Sequence, residues 1–97
     1  MSYDVYIGES WINHTFNGCE ACDEIIGMTP KNFDGMIAKD VNLLALKVYN
    51  ELNDKGELYA HYMPGNGWGT ISSWKKFMKD IIKACEEYPD EIVKVDC

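Results

Sequence analysis

Apolar and polar positions alternate at the start of the chain, with Tyr3, Val5 and Ile7 on one side of residues 2–7, the period of a half-buried strand. Gly8-Glu9-Ser10 reads as a short turn. Residues 11–17 alternate again, placing Ile12, His14 and Phe16 on one face and Trp11, Asn13, Thr15 and Asn17 on the other. Together the two runs predict a hairpin broken by Gly18. The period then lengthens: Cys22, Ile25 and Ile26 suit a short helix over 19–26 that stops at Gly27. After an irregular stretch with Pro30 and Asp34-Gly35, residues Val41, Leu44, Ala45, Val48, Tyr49 and Leu52 form one stripe of a helix over 38–52. A loop with Pro64 and Gly65, Gly67 and Gly69 follows. The strongest helical register, Ile71, Trp74, Phe77, Met78, Ile81, Ile82 and Cys85, predicts a helix over 70–87 with Thr70 as its N-cap. Pro89-Asp90 turns the chain into a last strand over 91–95. The fold expected is α+β: a small antiparallel sheet of about three strands (2–7, 11–17, 91–95), two main helices and one short one, in a single domain over 1–97.

Composition narrows what this domain does. The 97 residues include three Trp, six Tyr and three Phe, large rigid pieces for a core or a binding surface. Sixteen acidic residues against nine cations, all of them lysine, leave a net charge of −7. Without arginine there is no bidentate grip on phosphate or guanine, so direct nucleic-acid binding is disfavoured. An acidic surface suits solubility, or a basic protein partner. No apolar run approaches the ~18 residues of a membrane span, and the MSYDVYIGES start has no signal-peptide pattern. A cytoplasmic location is expected, with reduced cysteines and an unused Asn13-His14-Thr15 sequon.

The motifs resemble a family of small proteins of bacteriophages and bacteria without an assigned activity. The shared features are the SYDVYI start, N-x-T-x-N at Asn13, Thr15 and Asn17, and Asp34-Gly35-Met36 before the long helix. They continue with Pro64-Gly65-Asn66-Gly67-Trp68-Gly69 and ACEEYPDEIVKV. The resemblance implies a phage or prophage accessory protein acting in a host cytoplasm. It also implies that the positions after Asn17 need not be cysteine, so Cys19 and Cys22 are particular to this chain.

Candidate chemistry is sparse. Cys19-x-x-Cys22 offers one pair of zinc ligands, whereas a structural site needs four. The others, His14, His61, Cys85 and Cys97, form no second close pair. A thioredoxin-like role would put the motif after a strand in a βαβ unit. Cys22 as a core thiol is the simpler reading. His14 beside Cys19 has no third group to orient it, and neither His14 nor His61 reads as a base; both read as packed residues. No catalytic residue, metal site or cofactor is assigned.

The row Asn13/Thr15/Asn17 beside Trp11, with Asn66 and Trp68 from the glycine loop, is the better candidate. In a strand, alternate side chains share a face, and a glycine loop folded over that face makes a polar pocket with an aromatic wall. The same Asn and Thr side chains serve equally as loop ties. Lys75, Lys79 and Lys83 form a basic stripe, while Glu86, Glu87, Asp90, Glu91 and Asp96 form an acidic cluster; both suit solvated faces. The acidic cluster could also mimic a nucleic-acid backbone. The expected function is binding rather than turnover, first of a small polar or nucleotide-like ligand. The alternative is an inhibitor or adaptor docked on a host protein, such as a defence protein, through an acidic or aromatic surface. A small zinc protein or enzyme is the weakest reading. Oligomeric state stays open, because one apolar stripe serves a core and an interface alike.

Overall fold

A computed structural model describes residues 2–65 and 69–97. Strand β1 (Ser2–Ile7) and strand β2 (Ser10–Thr15) form the expected hairpin. Helix α1 (Cys19–Ile26) is followed by a 3-10 turn at Pro30–Phe33 and by helix α2 (Ala38–Lys55). Two more 3-10 turns, Gly56–Leu58 and Ala60–Tyr62, occupy part of the stretch expected as loop. Helix α3 (Ile71–Glu87) and the short strand β3 (Lys94–Asp96) complete the order. The sheet has three antiparallel strands in the order β2-β1-β3, so the first strand lies in the middle.

One face of the sheet packs on the helices. Tyr3, Val5 and Ile7 of β1 are buried with Val41, Ala45, Val48 and Leu52 of α2 and Trp74, Phe77, Met78 and Ile81 of α3. The reciprocal cap of α3 is complete: Thr70 Oγ1 accepts from the Ser73 amide at 3.0 Å, and Ser73 Oγ accepts from the Thr70 amide at 2.8 Å. Such caps contribute about 1 kcal/mol.

The last strand is shorter than the alternation over 91–95 suggests. It pairs with β1 only over 94–96, because the preceding residues turn to a different partner. The Gly35 amide donates to Val93 O and the Val93 amide to Met36 O, both at 2.8 Å, and Ile37 bridges to Ile92. Asp34 adds a charged acceptor, its Oδ1 receiving the Val95 amide at 2.8 Å. The Asp34-Gly35-Met36 motif thereby closes the outer edge of β3, and Gly35 permits the turn with φ +85°. Helix α2 also runs beyond Leu52, through Asn53-Asp54-Lys55, with Lys55 close to Glu51 one turn back. Among the described residues, no helix is long and apolar enough to cross a membrane.

Candidate functional site

Among the described residues, no helix covers the second face of the sheet. Register sets its rows: Asn13 lies opposite Asp4, which lies opposite Asp96, and Trp11 lies opposite Tyr6, which lies opposite Lys94. Trp11 is 64% exposed and Tyr6 38%, and Ile92 continues the apolar surface at 60%. Exposed aromatics on a sheet are large apolar areas already fixed in place.

A small network orients this face. Asp4 Oδ1 accepts from the Trp11 indole N–H at 3.0 Å and from Asn13 Nδ2 at 2.9 Å. The Asn13 amide nitrogen also reaches Tyr3 O at 3.1 Å and Ser2 Oγ at 3.2 Å. Its donors are therefore engaged within the sheet. Among the described residues, the atoms left facing outward are mostly acceptors: Asn13 Oδ1, the second Asp4 oxygen and the Asp96 carboxylate. Lys94 is the single cation in the two rows. Asp4 and Asp96 are like charges placed directly opposite, an arrangement that costs about 0.2–1 kcal/mol. A face built this way favours donor-rich cations and repels phosphates.

The candidate row divides. Trp11 and Asn13 belong to the outer face just described. Thr15 Oγ1 instead accepts the Asn17 amide at 3.3 Å, tying the strand end to the following turn. Asn17 O accepts the Trp74 indole N–H at 2.7 Å, which anchors that turn on α3. Gly69 is buried against the same place: a methyl there would lie 2.5 Å from Asn17 O and 3.2 Å from Thr15 Cγ2. The C-terminal end of the glycine loop thus meets Thr15 and Asn17, away from Trp11. Asn66 and Trp68 lie outside the described residues.

Asp4, Tyr6 and Lys94 were not among the residues singled out from sequence, and Asp96 enters there only as part of the acidic cluster. A signal for the first two existed. A two-residue turn at Gly8-Glu9 fixes the register, and that register puts Asp4 beside Asn13 and Tyr6 beside Trp11. Nothing local pairs residues 94–96 with them.

His14 and the cysteines lie on the opposite side of the chemistry. His14 is buried, with its ring stacked on Phe77 at 4.9 Å and tilted against Trp74 at 4.5 Å. Nδ1 is 2.8 Å from Thr15 O, which can only accept, so Nδ1 carries the proton. Nε2, 2.9 Å from Ser73 Oγ, is then the acceptor in the neutral ring, sharing the one Ser73 O–H with Thr70 O at 3.0 Å. Burial lowers its pKa from the ordinary 6.5, and the hydrogen bond to Thr15 O opposes this. The unfolded chain therefore binds a proton more readily than the folded one. Stability from this residue is complete above about pH 6.5 and is lost as pH falls through the window below it. Denaturant titrations at pH 7 and pH 5 should show a loss for the wild type that His14→Phe lacks; equal losses would remove His14 as the cause.

Burial pushes the Cys22 thiol up to about 12 and the Cys85 thiol to about 11, and raises Cys19 in the same direction. Thiols so held are poor nucleophiles at neutral pH. Among the described residues, no three His, Cys, Asp or Glu side chains group as a metal site. Cys22 fills the core face of α1, as its spacing suggests. His61 differs from expectation: it is exposed, against Tyr62 at 4.1 Å, on a 3-10 turn rather than packed in a loop.

The basic stripe and the acidic cluster are solvated in large part. Lys76 pairs with Asp80 at 2.8 Å, and Lys75 lies 5.9 Å from the Tyr49 ring centre. Glu86, Glu87, Asp90, Glu91 and Asp96 are exposed. Set against protein-family models, curated proteins and solved structures, the chain matches none.

Proposed function

We propose that the protein is a non-catalytic binding protein that docks on a partner protein through the outer face of its sheet. From its motifs, we also infer a phage or prophage accessory role in the host cytoplasm, with a host protein as partner. The observation that carries the docking reading is Trp11 and Tyr6, exposed side by side on an uncovered sheet and flanked by Asp4 and Asp96. Aromatic anchors within a charged rim resemble the make-up of protein interfaces. The surplus of acceptors selects a partner surface bearing lysine or arginine.

The test is affinity capture from host extract with wild-type protein, Trp11→Ala and Asp96→Lys as parallel baits. Trp11→Ala should lose the captured partner, with affinity falling about 30-fold or more, while its melting temperature stays close to wild type. Asp96→Lys should gain up to about 1 kcal/mol of stability by relieving the pair with Asp4, yet bind more slowly. Partners retained equally by all three baits would sink the docking reading.

A second reading, capture of a small polar ligand, is supported by Gly69 seated against Thr15 and Asn17. Native mass spectrometry of freshly purified protein separates the two. Excess mass matching a small molecule, lost in Asn13→Ala/Asn17→Ala while the fold persists, would favour ligand capture. A nucleotide phosphate, however, would meet Asp4 and Asp96.

A further inference from the structure

The hairpin geometry says which main-chain groups of β2 are already engaged. Ile7 and Ser10 are opposite one another, so the loop has two residues, Gly8 and Glu9. Gly8 has φ +58°, and among the described residues no non-glycine has positive φ. A two-residue hairpin loop with positive φ only at its first position is a type II′ turn, closed by Ile7 C=O accepting from the Ser10 N–H. Hydrogen-bonded pairs then alternate as Ile7–Ser10, Val5–Ile12 and Tyr3–His14. The N–H and C=O of Trp11 and Asn13 accordingly point away from β1, along the free edge of the sheet, because β2 is the outermost strand.

The two edges differ. Asp34, Gly35, Met36 and Ile37 close the far side of the sheet at β3. At β2, Thr15 C=O is taken by His14 Nδ1, but no other described hydrogen bond reaches the Trp11 or Asn13 main chain from outside. An exposed row of unpaired main-chain groups is a template for another strand.

The edge also has a wall. A groove of about 420 Å³ lies between Ser10–Asn13 and one face of α3, formed by Asp80, Lys83, Ala84 and Glu87. Ile12 and Ala84 give it apolar floor. Asp80 and Glu87 bracket Lys83 at i−3 and i+4, and Lys76 pairs with Asp80 at 2.8 Å, so the charges of the wall balance and the acidity comes from Asp4 and Asp96 on the adjoining face. The groove is continuous with the acceptor-rich outer face, since Trp11 and Asn13 belong to both. A second copy would bring one chain of net charge −7 against another. A basic segment meets no such repulsion.

We propose that the partner contributes an extended segment bearing lysine or arginine, which pairs with the free edge of β2 across Trp11–Asn13 and lays alternate side chains against α3. This rests on the docking reading of the sheet's outer face and specifies how the partner engages it. At ~3.3 Å per residue, the groove takes a segment of about four to six residues. Main-chain bonds supply affinity, and the alternate side chains facing α3 supply selectivity.

Amide hydrogen exchange on the full chain, followed by NMR, tests the edge first. In the free protein the Trp11 and Asn13 amides should exchange fast while those of Ile12 and His14 exchange slowly. Slow exchange at Trp11 and Asn13 in dilute protein would show the edge closed and overturn strand addition. Protection that grows with protein concentration would assign the edge to a second copy and overturn the basic segment.

Short random peptides displayed and selected on the wild-type protein then supply the probe. Enriched peptides should carry lysine or arginine and slow the Trp11 and Asn13 amides. Methylating peptide nitrogens one at a time should weaken binding about tenfold at alternate positions and little between them. Peptides that need Trp11 but protect neither amide would overturn strand addition and leave docking on the face intact. Peptides that bind Trp11→Ala as tightly as wild type, protecting neither amide, would overturn both. A selection enriching nothing would overturn strand addition alone, because extract capture tests the face independently.

Discussion

Trp74→Ala should cost about 3–5 kcal/mol of folding stability, lowering the melting temperature by roughly 15–30 °C for a domain of this size. Trp74 is 1% exposed and touches the core on several sides: His14 at 4.5 Å, Phe77 at 5.6 Å and Tyr3 at 6.4 Å between ring centres. Truncation leaves a cavity among rigid rings that cannot collapse into it. It also removes the indole N–H from Asn17 O, orphaning a carbonyl at the strand-to-helix turn. Trp74→Phe separates the two losses. It keeps most of the volume and gives up the hydrogen bond, so about 1–3 kcal/mol is expected. Urea unfolding of both variants checks this, and a loss below about 2 kcal/mol for Trp74→Ala would mean that another residue holds this corner.

Gly69→Ala is the second large effect, and it strikes the same corner from the loop side. Gly69 has φ +88°, which a residue with Cβ adopts only at a cost. The added methyl would lie 2.5 Å from the main-chain oxygen of Asn17 and 3.1 Å from its Cβ. That oxygen cannot retreat freely, because Trp74 holds it at 2.7 Å. Conformational strain and the clash together should cost about 2–4 kcal/mol. Thermal unfolding reads the loss, and a near-neutral melt would show the loop end free to move aside. The variant also discriminates between functional readings. Ligand capture at Thr15 and Asn17 should suffer with it, whereas docking at Trp11 and Asn13 should persist in whatever fraction remains folded.

That corner shows what periodicity reveals and what it hides. The stripe of Trp74, Phe77, Met78 and Ile81 is visible because a buried helix face repeats its apolar residues, and α3 falls where the pattern places it. The β1–β2 hairpin is visible for the same reason, down to the inward turn of Ile12 and His14. The 3-10 turns are not, since Pro30–Phe33 and Ala60–Tyr62 are too short to carry a period. Strand β3 begins later than the alternation suggests: Ile92 and Val93 look like strand residues, but they pair with the segment before α2, a choice made by tertiary contacts. The candidate row was half legible. Strand alternation puts Trp11 and Asn13 on the outer face, yet it cannot tell that the Thr15 hydroxyl takes the Asn17 amide and the Asn17 carbonyl the Trp74 indole, nor bring Asp96 beside Asp4. A pairing between the two ends of the chain leaves no local trace.

That pairing sets an order of assembly. The central strand of the sheet is made before the helices and its neighbour β3 after them, with Asp4 meeting Asp96 across all three helices. The β1–β2 hairpin closes early, being local, whereas the β1–β3 ladder carries the loop-closure cost of long sequence separation. Until residues 94–96 emerge, β1 stands as an open edge of a nascent chain, ready to pair with a neighbour. Folding during synthesis should therefore stall at a helix-packed hairpin and finish abruptly when the last strand arrives.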